Sequence, residues 1–495
     1  MLLIPVFLLI ALPWLNPFAS GPTPAALPLL FSWACAAVLL GMWRHGAGRW
    51  VPVAAWAWLV AGLLSSVIGL CQYFGVVANF SPWMSQAGAG EAFANLRQRN
   101  QFATLTSISL VALFYLEATG RFAGRLRWFV FASAALLATG NAASSSRTGL
   151  LQLVLLCALF GIWGGWRHVT VRRVLLTTIV SYGVAILVLP WVAGFDLLSQ
   201  GMVARVRAGD QICSSRFTVW SNVLHLIAQK PWLGWGWGEL DYAHYITLYG
   251  GPRFCDILDN AHNLPLHLAV ELGIPAALAI CGVSAWWVLR QRPWRETDLT
   301  RQLAWGVLAV ILLHSLLEYP LWYGPFQMAV GLCVLFLWRG AGAPPEYQSN
   351  KPLAQVVRPL SAIVLIAFVG YAAWDYHRIS QIYLAPETRD EVYRGDTLSK
   401  IRDSRLFRNQ VRFAELSLTP LTRDNAQWTF ETAGALLHYS PEPRVIEKVI
   451  ESAVLLGRDD EALAHLVRYR AAFPEDHARW AKANLQVPRH LQRLY

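Results

Sequence analysis

With 55% hydrophobic and only 14% charged residues in a chain of 495, and a mean hydropathy of +0.38, this sequence carries more apolar surface than one water-soluble core could bury. A single soluble domain is excluded. The formal net charge of +11 does not signal a nucleic-acid partner either, because the basic residues sit in short loops between apolar runs rather than on one soluble face.

Apolar windows of about 15 to 20 residues, the length that crosses a hydrocarbon core, fall near residues 2–15, 27–43, 51–73, 101–117, 127–140, 148–166, 172–193, 264–289, 303–317, 322–338 and 359–375. They predict an all-α polytopic membrane protein of about 11 transmembrane helices. The first window lacks a basic n-region and an A-x-A cleavage site, so it reads as a retained helix. With the N-terminus in the cytoplasm, alternate loops hold Arg44 and Arg49; Arg121, Arg125 and Arg127; Arg167, Arg172 and Arg173; Arg290, Arg292, Arg295 and Arg301; and Arg339, Lys351 and Arg358. That asymmetry follows the positive-inside rule. It places residues 74–100, 141–147 and 194–263 on the outer face, together with the C-terminal tail.

The chain thus divides into a body, residues 1–375, with a large outer loop at 194–263, and a polar tail, residues 376–495. In the tail, EPRVIEKVIESAVLLGRDDEALAHLVRYRAAFPED predicts two amphipathic helices broken at GRDD and closed at Phe473-Pro474. The pattern suits one tetratricopeptide-type (TPR-like) hairpin, and equally a small helical bundle. Of the cysteines, Cys213 and Cys255 share the large loop, where an oxidising compartment would let them pair. No CxxC or Cys/His spacing suggests zinc.

Four stretches carry chemistry. In ANLRQRNQFA, Gln98 and Asn100 offer hydrogen bonds while Arg97 and Arg99 add charge at a helix start that already favours anions. In ASSSRTGLLQ, Arg147 stands among hydroxyls before a span, a suitable place for a phosphate; alternatively Ser146 or Thr148 caps the helix and Arg147 reaches the interface. In SSRFTVWSNVLHLIAQKPWLGWGWGE, Arg216 leads into an amphipathic surface helix, Phe217 to Ala228, before a Pro/Gly-rich break. Its guanidinium can grip a diphosphate bidentately or bind anionic headgroups nonspecifically. In DNAHNLPLHLAVELGIP, Asn263 is the expected N-cap with Pro265 in the first turn. His262 then faces the positive end of the helix dipole, which favours a neutral ring and makes it a candidate general base. It serves equally as a polar residue sharing hydrogen bonds with Asn260 and Asn263. The pairs His267/Glu271 and His314/Glu318, each four apart, predict buried hydrogen bonding that fixes helix register. Without an HExxH they do not argue for a metal.

The order SSSRTG, SSRFTVW with KPWLGWG, then DNAHNLPLHLAVELG resembles the C-terminal signature of the O-antigen ligase and polymerase superfamily (Wzy/WaaL). NLRQRNQFA and HSLLEYPLWY resemble its narrower branch of bacterial protein O-oligosaccharyltransferases, the PglL type. One departure is plain: the branch motif usually reads like NLGQPNHLA, and here Arg97, Arg99 and Gln101 stand for the glycine, proline and histidine.

The resemblance implies en bloc transfer of an oligosaccharide from an undecaprenyl diphosphate carrier to Ser/Thr hydroxyls of a periplasmic protein such as a pilin, in the bacterial inner membrane. It implies His262 as the catalytic residue and Arg147 and Arg216 as diphosphate-binding residues. Gln98, Asn100, Asn260, Asn263, Glu318 and Tyr319 would be further polar site residues. Implied partners are the lipid-linked oligosaccharide, a pilin-like acceptor and membrane lipids, with no nucleic acid, metal or cofactor. Fixed guanidinium groups stabilise the charge that grows on the leaving diphosphate, and His262 takes the hydroxyl proton. A single, inverting displacement is the simplest outcome. The alternatives are a ligase acting on lipid A core, an O-antigen polymerase, or a non-enzymatic lipid-linked glycan transporter. A transporter predicts inverted repeats and paired broken helices, which the sequence does not display.

Overall fold

The structure, a computed structural model, describes residues 3–43, 50–122, 124–196, 198, 201–208, 212–339 and 352–485. Arg44, Arg49 and Lys351 lie outside the described residues. Among the described residues every regular element is a helix. In chain order they are α1 (Leu3–Leu15), α2 (Ala26–Met42), α3 (Trp50–Tyr73), α4 (Arg99–Ala118), α5 (Arg127–Ala143), α6 (Arg147–Ile162) and α7 (Val169–Val192). Then follow α8 (Gly201–Ala208), α9 (Arg216–Gln229), α10 (Leu240–Ile246), α11 (Leu264–Leu272), α12 (Ile274–Gln291), α13 (Leu299–Ser315), α14 (Gly324–Arg339) and α15 (Pro352–Ser380). The tail adds α16 (Thr397–Ile401), α17 (Arg408–Leu418), α18 (Ala426–Leu437), α19 (Pro443–Leu455), α20 (Asp459–Ala472) and α21 (Pro474–Leu485).

Five helices, α3, α4, α7, α12 and α15, are long and apolar enough to cross a membrane. Five more, α1, α2, α6, α13 and α14, are apolar but shorter. The window at 264–289 is not one helix, as the sequence reading had it. It breaks into α11 and α12 at Gly273, whose φ is +87° and where a Cβ would stand 2.1 Å from the carbonyl oxygen of Trp232. A helix running through this point would need a backbone that the neighbouring chain forbids.

Two compact units emerge, Met1–Gly209 with Trp287–Ala373, and Asp210–Trp286 with Trp374–Tyr495. In the first, α4 is buried along almost its whole length, packed against α3, α5, α6 and α13. Its Thr104, Thr106, Ser107 and Ser109 explain why an otherwise apolar helix belongs inside a helix cluster rather than against lipid. The α3–α4 approach needs Gly62, because a Cβ there would lie 2.0 Å from Ser109 Oγ, which donates to the Trp58 carbonyl at 2.7 Å. Arg301, read from sequence as a loop charge, is buried and donates to Glu296 (2.6 Å), the Leu337 carbonyl (2.8 Å) and Gln291 (3.0 Å).

In the second unit, α9 packs on α11 around Val219, Val223, Leu226 and Val270. The tail helices α18, α19, α20 and α21 pack in succession. On α19, Val445, Ile446, Val449, Ile450 and Ala453 form the buried stripe that the helical period predicted. Tyr245, on α10 of the large loop, belongs to the same hydrophobic cluster as these tail helices. Its hydroxyl lies 2.9 Å from His465 Nδ1, and His438 Nδ1 lies 2.7 Å from Glu239. Burial, reinforced by Arg468, pushes the His465 pKa down to about 4, so its ring is neutral and can accept a hydrogen bond from the Tyr245 hydroxyl.

Candidate active site

The candidate residues fall into two groups, one in each unit. In the first unit, Gln98 caps α4, its side-chain oxygen accepting from Gln101 N at 2.7 Å. Ser146 caps α6, accepting from Gly149 N at 3.0 Å. The two helix starts are joined by Asn100, whose amide oxygen accepts from Ser146 Oγ at 2.6 Å while its amide nitrogen donates to Glu318 at 3.1 Å. Asn100, Ser146 and Glu318 therefore form one cluster, with Arg147 the first residue of α6 and half-buried. Tyr319 follows Glu318 and stacks on Tyr323, ring centres 6.0 Å apart.

Behind this cluster runs a buried polar chain. Thr104 Oγ1 lies 2.9 Å from His314 Nδ1, Gln152 donates to Thr104 at 2.8 Å, and Ser107 donates to Gln152 at 3.2 Å. Asn141 donates to Thr106 at 2.8 Å. These partners lock α4, α5, α6 and α13 together, which rigidifies the helix starts that carry the candidate residues. The paired spacing of His314 and Glu318 does not survive as a helical face, because α13 ends at Ser315 and Glu318 turns to Asn100.

Arg97 adopts a left-handed conformation, φ +59°, at the position where the resembling motif has glycine, and its guanidinium donates to the Pro17 carbonyl. Arg99 pairs with Glu91 at 2.5 Å. Arg205, which no motif singled out, donates to the Ser145 carbonyl at 3.3 Å, two residues before Arg147.

In the second unit, Arg216 is the first residue of α9 and Ser215 caps it, accepting from Thr218 N at 3.2 Å. Asn263 caps α11 as its position predicted, accepting from Leu266 N at 3.1 Å, with proline in the first turn. His262 stands immediately before that cap, half-buried, with φ +50°. Its backbone N–H donates to the side-chain oxygen of buried Asn260 at 2.9 Å. The two asparagines therefore hold the turn from both sides, and the imidazole is presented from a backbone geometry with little freedom.

Cys213 and Cys255 are joined by a disulfide, Cα atoms 5.2 Å apart. It ties the chain just before Arg216 to the chain leading to Asn260. Buried Asn222 adds a second tie that sequence reasoning missed, donating to the Pro252 carbonyl at 2.9 Å and accepting from Phe254 N at 2.8 Å. His244 bridges the same segment, 2.9 Å from the Tyr249 hydroxyl and 3.2 Å from the Phe254 carbonyl. Burial, then the Arg253 charge, lowers its pKa to about 3, which leaves a neutral, structural ring. His267 and Glu271 share the buried face of α11 at 3.5 Å, the pairing their spacing predicted. Among the described residues no group of three His, Cys, Asp or Glu side chains is placed to hold a metal ion.

Three segments of the chain match described families. Residues 92–116 match "Protein glycosylation ligase", residues 132–281 match "O-Antigen ligase", and residues 302–488 match "Virulence factor membrane-bound polymerase, C-terminal". The first contains Gln98 and Asn100, the second Arg147, Arg216 and His262, the third Glu318 and Tyr319. Two similar curated proteins come from Acinetobacter baylyi. The "ComP-specific O-oligosaccharyltransferase" is 29% identical over 282 residues, covering 56% of this chain and 50% of that protein. The "General O-oligosaccharyltransferase" is 25% identical over 357 residues, covering 67% of this chain and 60% of that protein. The chain thus spans between half and three fifths of the length of these relatives. No solved structure matches it.

Proposed function

We propose that this chain, segments of which match protein glycosylation ligase and O-antigen ligase families, transfers an oligosaccharide en bloc from undecaprenyl diphosphate to Ser/Thr hydroxyls of a periplasmic protein, a pilin being the model acceptor. The observation that carries this reading is the match of residues 92–116 and 132–281 to protein glycosylation ligase and O-antigen ligase families, because those segments hold Gln98, Asn100, Arg147, Arg216 and His262. The names of the two relatives support a protein acceptor over lipid A core.

In this mechanism Arg147 and Arg216 bind the donor diphosphate. Bond cleavage at the anomeric carbon moves charge onto the leaving phosphate oxygen, so the guanidinium groups act more strongly on the transition state than on the ground state. His262 accepts the proton of the attacking hydroxyl, and one displacement inverts the anomeric centre without a metal. Asn260 and Asn263 support this role by fixing the turn that presents the ring. The enzyme lies in the inner membrane with eleven spans, the N-terminus in the cytoplasm and a TPR-like tail in the periplasm, an orientation supported by the arginine-rich alternate loops.

A cell-free assay tests it: lipid-linked oligosaccharide is offered with purified pilin or with lipid A core. Glycan on the protein is the expected product. Glycan on the lipid alone rejects the protein acceptor, and lengthened carrier-linked glycan supports the polymerase reading, which residues 302–488 would favour.

A further inference from the structure

The segment between α9 and α10, KPWLGWGWG at residues 230–238, places large apolar side chains in the open. Trp232 is 75% exposed, Leu233 87% and Trp237 62%. A short loop facing only water has no use for three such groups side by side. The backbone beneath them is held rather than loose. Trp235 N donates to the Val270 carbonyl at 2.8 Å, Gly236 N to the Glu271 carbonyl at 3.0 Å, and Pro231 O accepts from Ile274 N at 2.8 Å. Gly234, φ +69°, permits this clasp, because a Cβ there would stand 2.3 Å from the Glu271 oxygen.

The last of these bonds ties the segment to the first residue of α12, a helix long and apolar enough to cross a membrane and almost entirely exposed along its length. Leu278, Val283 and Trp286 on α12 are lipid-facing surface in such a helix. The exposed tryptophans and Leu233 therefore extend an apolar surface that already belongs to the bilayer, at the level where a span meets the headgroups. Tryptophan favours that level, with an apolar ring and an N–H for the polar boundary. Lys230, its ammonium 3.9 Å from the centre of the Trp235 ring, sets a cation beside the same segment, suited to lipid phosphate.

We propose that Trp232, Leu233 and Trp237 insert into the lipid leaflet at the N-terminal end of α12, making residues 230–238 a membrane-anchored strap. Because the strap is bonded to α11 through Val270 and Glu271, its insertion fixes the depth of the helix that Asn263 caps. The inference rests on α12 being a span and not on the transfer reaction.

The test places an environment-sensitive fluorophore at Leu233→Cys in the full chain, with Cys35, Cys71, Cys157, Cys281 and Cys333 replaced by alanine, reconstituted in nanodiscs. A Gly250→Cys probe on an exposed loop of the same unit is the control. Insertion predicts blue-shifted emission at 233, quenched about twofold more by lipids spin-labelled near the headgroup than by lipids labelled at the chain end, the shallow depth of interfacial segments. Water-like, unquenched emission matching position 250 overturns the proposal. So does a blue shift without lipid quenching, which means a second protein copy covers the surface. The unaltered chain gives an independent reading in bilayers containing photoreactive lipid: the peptide spanning 230–238 should be labelled, and labelling of α12 without it refutes insertion.

Discussion

Asp241 offers a prediction whose sign and size follow from its surroundings. It lies on α10, 8% exposed, with Oδ1 accepting from Tyr242 N at 2.7 Å. Burial raises its pKa from the ordinary 3.8 to about 7; the Asp259 and Glu239 charges push the same way and the Tyr242 N–H opposes them. The folded state therefore holds the Asp241 proton more tightly than the unfolded chain does. Its contribution to stability is fully present below pH 3.8, falls as pH rises, and is exhausted once pH passes about 7. The span is about three pH units, and at about 1.36 kcal/mol for each the loss approaches 4 kcal/mol. Asp241→Asn carries no charge at any pH and keeps an oxygen for the Tyr242 N–H. Thermal unfolding in detergent, followed at a series of pH values from about 4 to 8, should show the parent chain losing stability through this window while the variant changes less by that amount. The variant should be the more stable protein at the alkaline end and nearly equal at the acid end. Hydrogen exchange on α10 localises the effect. Parallel pH profiles for the two proteins would refute the argument, since a group ionised in both states adds no such slope.

His262→Ala should lower transfer by about 10²- to 10⁴-fold, the usual worth of a general base, with unchanged abundance in the membrane; near-normal transfer removes the base role. Arg216→Lys keeps the charge but loses the bidentate fork, so donor titration in the cell-free assay should show at least about tenfold weaker use of the lipid-linked glycan. Unchanged donor use would reassign Arg216 to nonspecific headgroup contact. Arg97→Gly relieves a left-handed residue at φ +59° and should stabilise the protein by up to about 1 kcal/mol in thermal unfolding; a loss of stability means the bond to the Pro17 carbonyl is worth more than the relief. Tyr245→Phe removes the hydroxyl bonded to His465 and should cost about 1 kcal/mol, seen as faster hydrogen exchange in α20. Unaltered exchange there would show that apolar packing alone holds α10 against the tail helices.

Local chemistry was legible in the sequence because it is governed by neighbours three or four residues away. The caps Ser146 and Asn263, a helix over Phe217 to Ala228, the His267–Glu271 pair and the break between α19 and α20 all belong to this class. What was illegible depends on which helices meet. Asn100 with Glu318 and Thr104 with His314 join residues more than two hundred positions apart, and Tyr245 with His465 does the same. Either partner alone reads as an ordinary polar residue in an apolar setting. Arg301 misled for a related reason: a guanidinium at a span end counts toward orientation, yet here three acceptors from its surroundings satisfy it inside the protein. Hydropathy likewise saw no break at Gly273, since glycine within an apolar run is unremarkable until Trp232 is known to lie against it.

One pattern joins the motifs more tightly than their resemblance to a family does. Three helices open with a capping side chain followed at once by arginine: Gln98 and Arg99 on α4, Ser146 and Arg147 on α6, Ser215 and Arg216 on α9. A cation in the first turn opposes the helix dipole and costs about 0.3 to 1 kcal/mol. For helix stability, aspartate or glutamate would serve each of these positions better. At α4 the cost is offset within the protein by Glu91, 2.5 Å from Arg99. In the proposed reaction the diphosphate would lie at the starts of α6 and α9, where backbone N–H groups, dipole and guanidinium all favour one negative charge. The serine-arginine starts of α6 and α9 are therefore what the proposed diphosphate donor calls for, since a helix N-terminus favours an anion and not a cation.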